Sequence, residues 1–508
     1  MIRLFATLCL FLIGSPLVGK TPNVLILYAD DLGFGDLGCY HAETKIPTPN
    51  LNQLAKEGMR FTDGHSSSGI CTPSRYALLT GRHHWRDFHG IVNVFGGSVF
   101  KKERLTLPEM LQEKGYHTTA IGKWHLGWDW DSIRKPDVKA TTVGEGKRKK
   151  QQLGPEAFDW TKPIPDGPLA HGFDHYFGDT VINFPPYCWI EDEKVVKAPD
   201  TLMDPEKWPA IKEGNWECRP GPMVTGWNPY ENIPTTTQKG VEYITAQAKT
   251  DKPFFLYFAF PSPHAPIIPN DEFDGKSQAG PYGDFVHETD FAIGRLLQAL
   301  KDSGQADNTL VIFTADNGPE HYAYARDERF GHWSAHPFRG LKRDLYEGGH
   351  HVPFIVKYPG VTKAGSTCEA LVSQIDLMAT IAAITEFELP DTNAAEDSHN
   401  LLPLWEGKVD SVRTTHVHNT NPNSYAMRHG DWILVDARSG YVSRRDKGWE
   451  KKHAYPEEER KEAKLFNFKN DPGQRKDLAA EHPEKVKELQ ALLKKIREQG
   501  YSAPRLAQ

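Results

Sequence analysis

"NVLILYADD", residues 23–31, carries six apolar residues from Val24 to Ala29 straight into two aspartates. The run lacks the alternation of a half-exposed strand, so both of its faces must be covered, as in a parallel sheet flanked by helices. "FFLYFAF" (254–260) and "LVIFTA" (310–315) read the same way, and "YHTTAI" (116–121) and "VPFIVKYPG" (352–360) add two more strands. Stretches of helical period separate them: "NLNQLAKEGM" (50–59), "LPEMLQEKG" (107–115), "FVHETDFAIGRLLQALKDSG" (285–304) and "QIDLMATIAAI" (374–384). Such alternation predicts an α/β fold, a large mixed and mostly parallel sheet sandwiched by helices.

Two regions break the pattern. Residues 130–235 are rich in Pro, Gly, Trp and charge, and read as long excursions that shape a pocket. Beyond about residue 410, "TTHVHN", "SYAMRHGDWILVDA" and "AKLFNF" alternate as antiparallel strands do, and "EKVKELQALLKKIREQ" (484–499) forms a charged terminal helix. The expected division is a signal peptide over 1–19, a catalytic domain over 20–410, and a C-terminal α+β subdomain over 411–508 with a small antiparallel sheet.

The opening "MIRLFATLCLFLIGSPLVGK" has a basic start, a short apolar run and a Gly-Ser-Pro breaker, the order of a secretory signal cleaved near Gly19. Ten apolar residues are too few to span a bilayer, so a periplasmic or secreted chain with no membrane span is expected. A net charge of −7 over 508 residues argues against a polyanionic partner, and the run "KRKK" (147–150) reads as a solvated loop, so no nucleic acid is expected. Cleavage would remove Cys9 and leave five cysteines, an odd number: Cys39, Cys71, Cys188, Cys218 and Cys368. One must stay unpaired or be altered, and the other four could form up to two disulfides in any of three connectivities.

Ligands of open α/β sheets bind at the carboxyl ends of strands. Strand 23–29 runs into Asp30-Asp31, strand 310–315 into Asp316-Asn317, and strand 116–121 into Gly122-Lys123-Trp124-His125, while His264 lies four residues past strand 254–260. Asp30, Asp31, Asp316 and Asn317 offer only oxygen, a set for a hard divalent cation, calcium or magnesium. In "SSGICTPSRYALLTGR" (67–82), Pro73 suits the first position of a helix ending at Gly81. Cys71 then stands just outside the N-terminus, where free N–H groups and Arg75 favour an anion and should lower the thiol pKa.

"CTPSRYALLTGR" (71–82) resembles the first signature of the type I sulfatases of the alkaline-phosphatase superfamily, and "GYHTTAIGKWHLG" (115–127) the second. "DNG" (316–318), "GLKRDLYEGGHHVP" (340–353) and "LFNFKNDPGQRKDLA" (465–479) are similar to later segments of that family. The resemblance implies an alkaline-phosphatase-like fold and a sulfuric ester hydrolase. It implies that a maturation enzyme oxidises Cys71 to formylglycine, whose hydrate attacks sulfur and later collapses to release sulfate. Asp30, Asp31, Asp316 and Asn317 would hold calcium, with magnesium as the alternative, and the modified Cys71 as a further ligand. Arg75 would orient the diol, Lys123 and Lys342 clamp the sulfate, His264 protonate the leaving alcohol, and His125 take a proton during collapse. One departure is His350-His351 after "EGG", where relatives often carry an arginine or an aliphatic residue; it touches none of these roles.

Aromatic and basic residues gather in "RHHWRDFHG" (82–90), "PPYCWIEDE" (185–193), "NWECRPGPMVTGWNPY" (215–230) and "FGHWSAHPFRG" (330–340). Their rings suit stacking on sugars, so a sulfated carbohydrate is the expected substrate, with His84, Trp85, Arg86 and Arg339 as rim contacts beside Lys123, His264 and Lys342. The competing readings are a phosphonate or phosphate ester hydrolase of the same superfamily, and an inactive sugar-binding protein.

Overall fold

The computed structural model describes residues 21–144, 149–459 and 462–504. The expected signal peptide lies outside these residues, as do Lys147 and Arg148 of the basic run; Lys149 and Lys150 are exposed. A ten-stranded sheet runs in the order Ser366–Cys368, Met59–Phe61, Phe354–Lys357, Thr309–Ala315, Asn23–Ala29, Phe254–Ala259, His117–Gly122, His175–Gly178, Ile190–Glu191, Lys194–Val195. From Thr309–Ala315 to His175–Gly178 all neighbours are parallel. Antiparallel pairs occur only toward the edges, where Phe354–Lys357 and Ile190–Glu191 run against the rest.

The central strand explains its own composition. Val24, Ile26 and Tyr28 enter one core, with Tyr76, Leu78 and Leu79 of helix Cys71–Thr80 and Leu377 and Ile381 of helix Leu377–Ile384. Leu25, Leu27 and Ala29 enter the other, with Phe285, Ile293 and Leu296 of helix Gly280–Asp302 and Leu51 and Leu54 of helix Pro49–Glu57. Every residue of the strand is buried, so no polar alternation could survive there.

The excursion over 130–235 holds only short strands and 3-10 turns before helix Asn232–Gln247. Strands Thr415–Asn421, Ser424–His429, Trp432–Asp436 and Lys464–Asn467 make a separate four-stranded antiparallel sheet. Helix Pro483–Gln499 covers it through Leu489, Leu493 and Ile496, and Trp85 joins the same cluster. Among the described residues no helix is long and apolar enough to cross a membrane.

Two expectations need correcting. Cys39, Cys71, Cys188, Cys218 and Cys368 are all free thiols. They occupy different surroundings: Cys188 lies in the core, Cys218 beside Trp216, and Cys368 on an edge strand. The helix also starts at Cys71 itself, with Ile70 as its cap, so Pro73 is the third helical residue. Proline costs nothing there, because the first four N–H groups of a helix have no internal partner.

Gly122 ends its strand at φ +97°, and a Cβ there would lie 2.1 Å from the Ala259 carbonyl oxygen. That close approach lets the Lys123 N–H donate to the same oxygen at 2.9 Å. Gly122→Ala should therefore cost more than about 1 kcal/mol, read as a lower urea midpoint with an unchanged slope.

Candidate active site

Register assembles the site. Ala29 pairs with Ala315, Tyr28 with Ala259, and Ala259 with Gly122. Asp30-Asp31, Asp316-Asn317, the segment leading to His264, and Lys123 therefore leave the sheet side by side. Asp31 turns into the left-handed region at φ 63° and donates its N–H to Asp316 Oδ1 at 3.1 Å. Helix Cys71–Thr80 brings Cys71 Sγ to 3.5 Å from Asp30 Oδ1. Lys123 Nζ donates to Asp30, and Lys342 Nζ to Asp31 at 2.7 Å. His264 Nε2 lies 3.8 Å from Asp31 Oδ2. Arg75 grips Asp316 Oδ2 through Nε at 3.2 Å and a terminal nitrogen at 2.8 Å.

Asp30, Asp31 and Asp316 are 0–1 % exposed, as are Arg75 and Lys123, with Lys342 at 2 %. Three negative and three positive charges cancel when all are ionised. A divalent cation added to them leaves two positive charges, to be met by an anionic substrate. The donor set fits such a cation. Asn317 Oδ1 is buried without a partner, while its amide nitrogen donates to Asp31 Oδ1 at 2.7 Å and to the Gly318 carbonyl. Asp30, Asp31, Cys71 and His264 also each bring a ligand atom within 4.8 Å of the others.

Burial pushes Asp316 up to about 7, with Asp30 adding to the rise against the pull of Arg75. Burial acts upward on Asp30 too, but there Lys123, His264 and Arg75 outweigh it and hold the carboxyl well below its usual range. Burial opposes a charge on Lys342, yet Asp31 raises its pKa and keeps it an ammonium. The thiol departs from expectation. Burial pushes Cys71 up to about 12, more than Lys123 and Lys342 can pull it down, and Arg75 is committed to Asp316. As a plain thiol, then, Cys71 is a poor nucleophile at neutral pH. His125 Nε2 faces the Val92 carbonyl at 3.0 Å, and Nδ1 is buried without a partner. Burial and Lys123 keep that ring well below its usual pKa; burial and Lys342 lower His264.

A family model described as Sulfatase matches residues 22–387. The chain belongs to the sulfatase family. A second, described as N-sulphoglucosamine sulphohydrolase, C-terminal, matches residues 338–499 of this sulfatase. It is 31% identical to an N-acetylgalactosamine-6-O-sulfatase of Bacteroides thetaiotaomicron, over 94% of this chain and 93% of that one. It is 34% identical to the human N-acetylgalactosamine-6-sulfatase, over 78% of this chain and 67% of the relative. A solved chain from work on glycosaminoglycan metabolism by Bacteroides thetaiotaomicron superposes with a TM-score of 0.74 at 28% identity, covering 94% of this chain and all of that one.

The sulfatase brings nine expected residues into one site: Asp30, Asp31, Cys71, Arg75, Lys123, His264, Asp316, Asn317 and Lys342. The expected rim contacts lie elsewhere. His84 is buried against Asn419, and Trp85 packs edge-on to Tyr425. Arg86 is bonded to Asp397 at 2.7 and 2.8 Å, and Arg339 to Tyr441 and the Gln474 carbonyl. All four face the C-terminal sheet or the loops beside it. Part of the expected sugar platform is also internal, since Tyr187 and Trp227 are buried in one cluster with Trp208.

Sequence reasoning missed Asp179, Glu320 and Arg343. Asp179 follows strand His175–Gly178, so reading strand ends would have found it; burial raises it to about 6 and Lys123 pulls the other way. Glu320 and Arg343 pair at 2.6 Å beside Lys342, with the Arg343 side chain 40 % exposed. A divalent cation at 100 times its Kd should stabilise the protein by about 2.7 kcal/mol, seen as a rise in Tm that a chelator reverses. Asn317→Ala should remove most of that response.

Proposed function

We propose that this sulfatase hydrolyses sulfate esters on carbohydrates, with 6-sulfated N-acetylgalactosamine units as its first candidate substrates. The reading is carried by Cys71 at a helix N-terminus, 3.5 Å from Asp30 and flanked by the Lys123 and Lys342 ammonium groups. It is supported by relatives named for N-acetylgalactosamine-6-sulfate that align along most of the chain.

Asp30, Asp31, Asp316 and Asn317 would hold calcium, whose charge would draw electrons from a sulfate oxygen. Converted to formylglycine by a maturation enzyme, residue 71 would supply a hydrated aldehyde with one hydroxyl to bond sulfur and a second to release it. Lys123 and Lys342 would bind the remaining sulfate oxygens, where charge accumulates, in a site too enclosed for water to screen them. Arg75 would act one step back, fixing Asp316 and the helix that carries residue 71. His264, part-exposed beside Asp31, would protonate the leaving sugar oxygen, and His125, whose Nδ1 is buried without a partner, would take a proton from residue 71. Arg343, part-exposed and paired with Glu320, would offer a cation to the substrate's further anionic groups. The catalytic part would extend to about residue 410 and the C-terminal subdomain from 411 onward, behind a cleaved leader of 19 residues and in the periplasm or outside the cell.

Sulfate release from 6-sulfated N-acetylgalactosamine saccharides tests this directly. Turnover confined to nitrophenyl sulfates would defeat the carbohydrate assignment, and a preference for matched phosphate esters would move the enzyme to the phosphohydrolase reading. Lys342→Ala should lower kcat/KM by about 10²–10³-fold. A tryptic peptide spanning residue 71 should carry the mass of an aldehyde in place of a thiol, and Cys71→Ala should abolish turnover.

A further inference from the structure

The His350-His351 pair that departs from the family pattern lies in a second buried cluster. Asp63 and His65 flank Gly64 beside the short strand Gly64–His65, and His351 meets His65 in an isolated antiparallel bridge. Glu347 opens the 3-10 turn Glu347–Gly349, four residues before His351. His65 Nε2 is 2.7 Å from Asp63 Oδ1 and 3.9 Å from Glu347 Oε2, and His351 Nδ1 is 2.9 Å from Glu347 Oε2. The four ligand atoms lie within 4.8 Å of one another. Exposure is 6 % for Asp63, 0 % for His65, and 1 % for Glu347 and for His351.

Proton bookkeeping marks the cluster as more than a set of hydrogen bonds. His351 Nε2 lies 2.8 Å from the Thr62 carbonyl, which only accepts, so Nε2 carries the proton. In the neutral ring Nδ1 is then a lone pair aimed at the Glu347 carboxylate, two acceptors facing each other with no proton between them. Nearby, His65 Nδ1 faces His350 Nδ1 at 3.1 Å, and His350 Nε2 is buried without a partner.

We propose that Asp63, His65, Glu347 and His351 form a structural zinc site, sharing no residue with the divalent site at the strand ends. Four ligands about 2.0–2.2 Å from a tetrahedral ion stand about 3.3–3.6 Å apart, and the separations of 2.7, 2.9 and 3.9 Å bracket that spacing. Two imidazoles favour zinc over calcium or magnesium, and four protein ligands buried from water leave no open position for catalysis. Three of the four ligands are already oriented from outside: His351 by the Thr62 carbonyl, His65 by His350, and Asp63 by an Arg428 nitrogen 3.2 Å from Oδ2. Arg428 belongs to the C-terminal sheet, and the His350 ring stacks on His418 of the same sheet at 3.8 Å. Zinc would therefore fasten that sheet to the chain six residues upstream of Cys71.

The full-length protein, stripped with EDTA and re-equilibrated with calcium and equimolar zinc, should retain one zinc per chain through gel filtration. Elemental analysis of His351→Gln should find that zinc lost and calcium kept, and zinc should raise the Tm of the wild type but not of the variant. Should the variant fail to fold, diffraction from wild-type crystals at the zinc edge should show an anomalous peak among the four side chains. A folded wild type that holds no zinc, or holds it only at the strand ends, overturns the assignment. Because metal content is read without turnover, the outcome is independent of the proposed substrate.

Discussion

Three carboxylates excluded from water at the ends of adjacent strands set the terms for everything around them. Each buried ion costs several kcal/mol unless opposite charge and hydrogen bonds meet it. The chain meets this demand with Arg75 on Asp316, Lys123 on Asp30 and Lys342 on Asp31, all equally buried. The same seclusion that strengthens these pairs lifts the Cys71 thiol out of reach of ionisation. A site balanced in this way would gain positive charge with a divalent ion, as a receptor for a sulfate ester requires.

Much of this was legible in the residues. Doubly buried strands must be uniformly apolar, and Val24–Ala29 is; ligands gather at strand ends, and Asp30, Asp316 and Lys123 stand there. What misled was local reasoning about groups whose behaviour depends on depth. A helix N-terminus argued for an acidic thiol at Cys71, but enclosure wins because desolvation grows with every layer of protein above the sulfur. Asp179 was overlooked because its strand is short and carries a weak pattern, four residues from His175 to Gly178.

The rim residues teach a different lesson. His84, Trp85, Arg86 and Arg339 have the composition of a sugar-binding wall, yet they meet the C-terminal sheet and its adjoining loops. Flat rings and forked cations serve both purposes, since a protein junction and a carbohydrate both offer apolar faces edged with acceptors. Arg86 illustrates this with the Trp85 ring 4.3 Å away on one side and the Asp397 carboxylate on the other. Only the partner chain segment, distant in sequence, tells the two apart.

The contact between the Asp31 N–H and Asp316 Oδ1 joins positions 285 residues apart. Closing so long a loop carries an entropic cost, so the contact depends on the paired strands that hold its two ends in register. A fragment that lacks either strand therefore lacks part of the carboxylate set. The site is thus a property of the whole sheet and of no shorter stretch of it.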